Sequence, residues 1–168
     1  PPPATHWLEQ VLQKPGVAHK VSPCGQNLKK NRGGRVSDAK DLTGIKVMVI
    51  DDSNTIRRSA EIFLSQSGCE IILATDGFDA MAKIADSHPD VIFVDIMMPR
   101  LDGYQTCTLI KKNSGFQATP VIMLSSKDGL FDRARGRMVG SDEYLTKPFT
   151  KDSLLSAVRK YAPKRDAA

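Results

Sequence analysis

The sequence predicts an α/β fold with one parallel β-sheet and helices on both of its faces. From residue 45 onward, short apolar runs recur, and each is followed by a segment whose apolar residues have helical spacing. In addition, 40% of the 168 residues are apolar, which is enough for the core of one ordinary domain. Strand–helix pairs in series join parallel strands by right-handed crossovers, so the predicted class is a single doubly wound domain.

Five short apolar runs are predicted to be strands, and the segments after them to be helices. The runs are rich in β-branched residues and bounded by Gly, Pro or Asp, as is typical of strands buried on both faces. Ser53 or Asn54 is placed to cap the first helix and Thr150 the last, because short polar side chains accept hydrogen bonds from first-turn amides. The predicted strands are 47–50, 71–74, 91–94, 121–124 and 143–145. The predicted helices are 53–67, 77–86, 103–112, 128–138 and 152–161.

Residues 1–44 differ in composition from the rest of the chain. Ten of these 44 residues are Pro or Gly, and a basic run within them reads KKNRGGR. Such a segment buries too little apolar surface to offset its ordering, so we predict a flexible, disordered, basic N-terminal extension. A docking segment is the alternative, because Trp7, Leu8 and Val11 can form a short amphipathic turn. The folded domain is predicted at residues 45–162, with a C-terminal tail at 163–168.

The charge distribution argues against a nucleic-acid partner. The net charge is +5, but residues 1–44 hold seven Lys and Arg against three acids, whereas residues 45–168 hold seventeen against sixteen. A nucleic-acid-binding domain needs its cations on a folded face, and the nearly neutral remainder provides none. No apolar run approaches the roughly 18 residues of a membrane span, and no signal peptide opens the chain. We therefore expect a cytoplasmic protein without membrane insertion.

Polar side chains follow four of the five predicted strands at the point where each strand ends. Because the carboxyl ends of parallel strands meet at one edge of the sheet, these side chains should lie close together. A single acid there could be only a helix N-cap, but three acids and a lysine on neighbouring strand ends predict a functional site. The residues are Asp51 and Asp52 after the first strand, Asp95 after the third, Ser125 after the fourth and Lys147 after the fifth.

The residue types at these strand ends indicate phosphoryl transfer. Carboxylates that are forced together repel one another unless a cation neutralises them, and an all-oxygen ligand set favours Mg²⁺. Mg²⁺ together with Lys147 would neutralise a phosphoryl group, while Ser125 would hydrogen-bond one of its oxygens. A carboxylate in that setting can act as a nucleophile and form an acyl phosphate.

The same residues resemble the CheY-like receiver domains of two-component response regulators, across the whole predicted domain. The intervals agree, since Asp95 lies 43 positions after Asp52. Another 30 lead to Ser125, and 22 more lead to Lys147. The stretch 94–103, VDIMMPRLDG, is similar to the most characteristic stretch of that family. The resemblance implies a flavodoxin-like (βα)5 domain with the strand order 2-1-3-4-5.

The resemblance implies a role for each residue of the predicted site. Asp95 would accept the phosphoryl group from a phosphohistidine of a histidine kinase or histidine phosphotransfer domain. Asp52, Asp95 and the backbone carbonyl of Met97 would hold Mg²⁺, and Asp51 would contact it through water. Lys147 would pair with the phosphoryl group, and its peptide bond to the following proline is expected to be cis.

The resemblance also implies a switch and an output surface. Tyr144 matches the aromatic switch position with Ser125 as its partner, and a half-buried aromatic residue on an edge strand is a compatible interpretation. The fourth helix, fifth strand and fifth helix would form the surface that a downstream protein recognises. Its expected residues are Leu130, Phe131, Arg133, Arg137, Tyr144 and Lys151, although Phe131 is equally consistent with a core position.

Four further stretches resemble the response regulators of chemotaxis-like systems that control type IV pili and twitching motility. They are 55–58 (TIRR), 76–80 (DGFDA), 104–107 (YQTC) and 125–132 (SSKDGLFD). Because only seven residues follow the last helix, the sequence predicts a stand-alone, monomeric response regulator that signals by protein–protein contact. We expect a switch rather than an enzyme, one that phosphorylates itself from small phosphodonors and dephosphorylates slowly.

Three other function classes fit the sequence less well. An aspartate-nucleophile phosphatase needs a second acid two residues after the nucleophile, where this chain has Met97. A nucleotide-binding protein would carry a P-loop or a glycine-rich dinucleotide motif, and the sequence contains neither. A receiver-like binding module that has lost phosphorylation would lack an acid or the lysine, and all of them are present.

Overall fold

The structure is a computed structural model that describes residues 42–126 and 129–163, without the side chains of Leu130 and Phe131. Within these two ranges, no helix is both long enough and apolar enough to cross a membrane.

The predicted N-terminal extension lies outside the described residues except for its last three, Leu42, Thr43 and Gly44. The predicted C-terminal tail lies outside them from residue 164 onward. Leu42 is buried in the core, and the amide of Gly44 donates a 3.2 Å hydrogen bond to the carbonyl oxygen of Gly68. The polypeptide therefore contributes to the core shortly before the predicted domain start at residue 45.

One sheet of five parallel strands has the order β2-β1-β3-β4-β5, which confirms the order that the sequence resemblance implied. Every predicted strand is confirmed, with bounds that differ from the prediction by at most one residue at each end. The strands are β1 (Lys46–Ile50), β2 (Glu70–Ala74), β3 (Val91–Asp95), β4 (Val121–Ser125) and β5 (Glu143–Thr146).

A helix follows each strand, as predicted, and the helix ends lie within two residues of their predicted positions. The hydroxyl of Ser53 accepts a hydrogen bond from the first turn of α1, and Thr150 does the same for α5, so both predicted N-caps are confirmed. At α4 the N-cap is Gly129, which offers no side-chain cap, and this helix begins two residues later than predicted. The helices are α1 (Asn54–Ser65), α2 (Gly77–Ser87), α3 (Gly103–Lys112), α4 (Leu130–Met138) and α5 (Lys151–Tyr161).

The core forms two layers, one on each face of the sheet. Successive residues of a strand point to opposite faces, so β1 supplies both layers. Val47 and Val49 pack in the layer with α1 and α5. Met48 and Ile50 pack in the layer with α2 and α3. The burial of both faces explains why the strands are recognisable in the sequence as nearly continuous apolar runs.

Candidate functional site

The carboxyl ends of β1, β3, β4 and β5 bring the predicted site residues together. Asp51 continues β1 by one residue, because its amide still donates to the carbonyl oxygen of Ala74 on β2, at 3.2 Å. Asp95 and Ser125 are the last residues of β3 and β4, which lie next to each other in the sheet. Asp51, Asp95 and Ser125 are each at most 4% exposed.

Lys147 connects the ends of two strands. Its ammonium nitrogen Nζ lies 2.6 Å from Oδ2 of Asp51 and 3.0 Å from Oδ1 of Asp95. Its backbone amide donates a 2.6 Å hydrogen bond to the carbonyl oxygen of Ser125, which places the lysine at the end of β4. The peptide bond from Lys147 to Pro148 is cis, as expected from the resemblance.

Asp51 is held in place by more than this ion pair. Its Oδ1 accepts a 2.9 Å hydrogen bond from the amide of Ser53. Its backbone carbonyl oxygen accepts a 2.6 Å hydrogen bond from Nη1 of Arg57, on the first turns of α1. Arg57 could not be predicted as a neighbour of the site, because only the folded turn brings its guanidinium back to the end of β1.

The three acids fit a divalent hard cation. Asp51, Asp52 and Asp95 each offer a carboxylate oxygen, and these oxygens all lie within 4.8 Å of one another. Asp52 is exposed whereas Asp51 and Asp95 are buried, so the cluster opens to solvent on one side. An all-oxygen, carboxylate-rich set of this kind suits Mg²⁺, which keeps several waters when it binds to protein.

Burial and the neighbouring charges shift the pKa values of two residues in this cluster. Burial raises the pKa of Asp95, and the neighbouring charge of Asp51 raises it further, while hydrogen bonds from Lys147 and from the amide of Met97 partly offset the increase. For Lys147, burial lowers the pKa, but the hydrogen bonds to both carboxylates outweigh burial and raise it. The site therefore holds one ammonium group against more negative charge than it balances, which favours the arrival of a further cation.

The backbone of α3 closes one wall of the site. The amide of Gly103 donates a 3.0 Å hydrogen bond to the carbonyl oxygen of Ile96, just after Asp95. A Cβ at Gly103 would lie 2.3 Å from the carbonyl oxygen of Asp95, so no larger residue fits at the start of α3. Asp102 then caps this helix in a capping box with Gln105.

Tyr144, the predicted switch residue, is half-buried on the edge strand β5. Its ring lies 5.3 Å from the guanidinium carbon of Arg133 on α4. This placement agrees with the interpretation of Tyr144 as a half-buried aromatic residue on an edge strand.

A second tyrosine, Tyr104, which was not among the predicted site residues, connects α3 to α4. The hydroxyl of Tyr104 donates to Oδ1 of Asp132 at 3.1 Å, and the guanidinium of Arg135 lies 4.4 Å from the ring centroid. Burial and the hydrogen bond with Asp132 raise the pKa of Tyr104 to about 12. The position of Tyr104 directly after Gly103 could have indicated a role near the site. Its partner Asp132 on α4, however, is 28 residues away in the sequence.

The predicted output surface is only partly described. The side chains of Leu130 and Phe131 lie outside the described part of the chain. Lys151 donates a 2.8 Å hydrogen bond to Gln66 at the end of α1, so its ammonium group is directed towards α1. Between α4 and β5 lies a cleft of about 110 Å³, lined by Arg133, Arg137, Ser141, Asp142, Glu143 and Tyr144.

Comparison with known proteins agrees with this fold. Residues 47–159 match the response regulator receiver domain family, and the chain belongs to that family. It is 72% identical to protein PilG of Pseudomonas aeruginosa over 120 residues, which cover 71% of this chain and 89% of PilG. These findings confirm the receiver assignment and show that the chain resembles the response regulator PilG.

Solved structures show the same fold. Chemotaxis protein CheY4 of Vibrio cholerae aligns with a TM-score of 0.69 and 31% identity, over 71% of this chain and 99% of CheY4. The receiver domain of the Francisella response regulator 1452 aligns with a TM-score of 0.65 and 36% identity, over 70% of this chain and 96% of that domain.

Proposed function

We propose that this receiver domain is a phosphorylation switch whose phosphoacceptor is Asp95. The observation that carries the proposal is the single ammonium group of Lys147, which bridges the buried carboxylates of Asp51 and Asp95 beside the exposed Asp52. A buried strand-end carboxylate with one cation partner and an open side is suited to receive a phosphoryl group and to keep its charge neutralised.

The phosphoryl group would come from a phosphohistidine of a histidine kinase or a histidine phosphotransfer domain. A carboxylate oxygen of Asp95 bonds to phosphorus while the phosphorus–nitrogen bond breaks, and its electrons remain with the imidazole nitrogen, which takes up a proton. Lys147, which lies 3.0 Å from Oδ1 of Asp95, would hold the phosphoryl oxygens, and the buried Ser125 would donate a hydrogen bond to one of them. The product is an acyl phosphate on Asp95.

Mg²⁺ is the cofactor that we propose for this step. Asp52, Asp95 and the backbone carbonyl of Met97 would hold it, with Asp51 contacting it through water. When bound, Mg²⁺ supplies positive charge that stabilises the negative charge of the transferring group. We propose that, apart from accepting phosphate from small phosphodonors and slowly losing it again, the domain catalyses no reaction.

The output would pass through protein–protein contact in the cytoplasm, without nucleic acid. The 72% identity to PilG supports a role in type IV pilus control and twitching motility. Tyr144 with Ser125 would form the switch, and α4, β5 and α5 would form the contact surface. In this proposal phosphorylation shifts an existing equilibrium between two arrangements of that surface.

Replacing the phosphoacceptor tests the proposal directly. Asp95→Asn should abolish phosphorylation by acetyl phosphate with Mg²⁺, because an amide cannot form an acyl phosphate, and intact-mass spectrometry would measure the product. Asp86→Asn, which changes an exposed aspartate on α2, is the matched control and should be phosphorylated like the wild type. A base-labile phosphate at the wild-type level on the Asp95→Asn variant would contradict the assignment.

The biological role can be tested in Pseudomonas aeruginosa cells that lack PilG. The wild-type chain should restore twitching, measured as the diameter of the twitching zone, while Asp95→Asn should not. Phosphorylation in vitro without any restored twitching would leave the switch intact and contradict the pilus role.

A further inference from the structure

The loop between β3 and α3, residues 96–102, bears directly on the proposed phosphorylation site. The amide of Met97 hydrogen-bonds the carboxylate of Asp95. The carbonyl of the same residue is the backbone ligand proposed above for Mg²⁺. Any displacement of this loop would therefore disturb both the phosphoacceptor and the metal ligand set.

Arg100 attaches the far half of this loop to the start of α2. Its Nη2 pairs with a carboxylate oxygen of Asp76, and its guanidinium carbon lies 5.7 Å from the centroid of the Phe78 ring. Asp76 cannot easily move, because it is the N-cap of α2 and its Oδ1 accepts a 2.9 Å hydrogen bond from the amide of Asp79. The loop is thus fastened to a fixed point on another element.

The backbone conformation of Arg100 indicates that its contacts with α2 have a functional role. Its φ is +68°, and among the described residues the only other non-glycine residue with positive φ is His88, which ends α2. A residue with a β-carbon is sterically unfavourable in this left-handed conformation, which glycine adopts without steric strain. Strained backbone of this kind persists where the surrounding contacts determine it, and it is frequent at functional sites.

The next residue of the loop strengthens the same attachment. A Cβ at Gly77, the first residue of α2, would lie 2.5 Å from Cδ2 of Leu101 and 2.3 Å from Oγ1 of Thr106. The loop and α3 therefore lie directly against the backbone of α2, beside the pair of Arg100 and Asp76.

Arg58 provides an ion pair of the same exposure for comparison. The side chain of Arg58 is 69% exposed and pairs with Glu61 within α1, while the side chain of Arg100 is 67% exposed. Exposed ion pairs contribute little to stability in general. The two pairs differ in what they join, because Arg58 links neighbouring turns of one helix whereas Arg100 links two elements beside the acidic cluster.

We propose that Arg100 is a positioning residue for Mg²⁺ binding and phosphorylation. By holding the loop against Asp76 and Phe78, it keeps the amide and the carbonyl of Met97 in place at Asp95. This inference rests on the proposed function. It assigns Arg100 no contact with the phosphoryl group or the metal ion.

Three variants of the full chain separate this role from general stability. Arg100→Ala removes the attachment and keeps a β-carbon at positive φ, whereas Arg100→Gly removes the attachment and also relieves the backbone. Arg58→Ala is the matched control. The apparent Mg²⁺ affinity is measured from the rise of the melting temperature with Mg²⁺ concentration, and the Met97 amide is followed by nuclear magnetic resonance.

Both Arg100 variants should bind Mg²⁺ about tenfold more weakly, as is typical when a group that supports metal ligands is removed. Both should also shift the Met97 amide resonance and speed its hydrogen exchange without Mg²⁺, while Arg58→Ala leaves both readouts unchanged. Wild-type affinity and an unchanged Met97 amide in Arg100→Gly would overturn the positioning role. A wild type that neither responds to Mg²⁺ nor accepts phosphate would overturn the proposed function, while the Met97 amide would still decide the role of Arg100.

Discussion

The centre of the sheet and its β5 edge are built in different ways. All residues of β3 and β4 are buried, and so are all residues of β1 after Lys46. Every residue of β5 is only half-buried, and Gly136 is the one buried residue among the described side-chain positions of α4. Asp51 and Asp95 thus lie at the ends of strands that are almost entirely buried, whereas the predicted switch residue, Tyr144, lies on a strand that is only half-buried.

Among the described side chains of α4, those of Asp132, Arg133 and Arg135 make polar contacts with the rest of the domain. The hydroxyl of Tyr104 bonds to Asp132, Arg135 lies over the ring of Tyr104, and Arg133 lies over the ring of Tyr144. Each contact of this kind contributes on the order of 1 kcal/mol. The comparison teaches that the acids lie where the strands are fully buried, whereas the described side chains of α4 contact the domain through individually weak interactions.

A pair of neighbouring leucines tests the comparison most strongly. Leu124 on β4 and Leu145 on β5 are partners in the sheet register and pack in the same core layer. Leu124→Ala should lower the free energy of unfolding by about 2–5 kcal/mol, because the side chain is fully buried. Leu145→Ala should cost about 1–2 kcal/mol. Urea unfolding measures both, and equal losses would show that β5 is as tightly packed as β4.

Mg²⁺ binding should change the free energy of unfolding by less than Leu124→Ala does. Binding to the folded site alone should raise the free energy of unfolding by about 1–3 kcal/mol at tens of times the dissociation constant. Asp52→Asn should lose most of this gain, and without Mg²⁺ it should be at least as stable as the wild type because one of three like charges is gone. Thermal melts with and without Mg²⁺ check this, and Asp86→Asn should behave like the wild type.

Tyr104→Phe should loosen α4 without disturbing the site. The variant keeps the ring under Arg135 and loses the hydrogen bond to Asp132, so the expected loss of stability is about 1 kcal/mol. Hydrogen exchange should accelerate at the amides of α4 and stay unchanged in β1 and β3. Tyr161→Phe, which removes a hydroxyl bonded to Asp142 and Glu143, is the matched control. Faster exchange throughout the sheet would contradict a local attachment.

The smallest expected effects are the contributions of Asp95 and Glu143 to the free energy of unfolding, which depend on pH in opposite directions. Burial raises the pKa of Asp95, so the contribution of Asp95 to the free energy of unfolding is present below the ordinary aspartate value of about 3.9 and is lost as pH rises through the raised folded-state pKa. The stability of Asp95→Asn relative to the wild type should therefore increase over that range. The hydrogen bond from Lys160 lowers the pKa of Glu143, so its contribution is present above the ordinary glutamate value of about 4.3 and is lost as pH falls through the folded-state pKa.

Urea unfolding across a pH series without Mg²⁺ measures both slopes. The advantage of the wild type over Glu143→Gln should shrink as the solution becomes more acidic, opposite to the trend with Asp95→Asn at the same pH values. Slopes of the same sign would mean that the acid at the centre and the acid at the edge have similar electrostatic surroundings.

The strand ends could be predicted because buried parallel strands leave a direct pattern in the sequence. A continuous apolar run such as 91–94 ends where a polar residue begins, and Asp95 lies at that point. In a parallel sheet those ends share one edge, so the acids and Lys147 could be grouped without knowing any distance.

The division of roles within the acid pair could not be predicted from residue type. Asp51 and Asp52 are chemically identical neighbours, yet Asp51 is buried against Lys147 and Asp52 is exposed. The continuation of β1 pairing at Asp51 and the return of Arg57 from α1 decide which of the two faces inward.

The sequence by itself determined the succession of strands and helices along the chain, the caps of α1 and α5, and the set of acids at the sheet edge. These features depend on local pattern and on the rules of parallel sheets. Only the tertiary structure decided which side chains join one element to another. Asp76 and Arg100 are 24 residues apart, and Tyr104 and Asp132 are 28 apart. Such contacts depend on how helices and loops pack across the sheet, and no local pattern in the sequence indicates that packing.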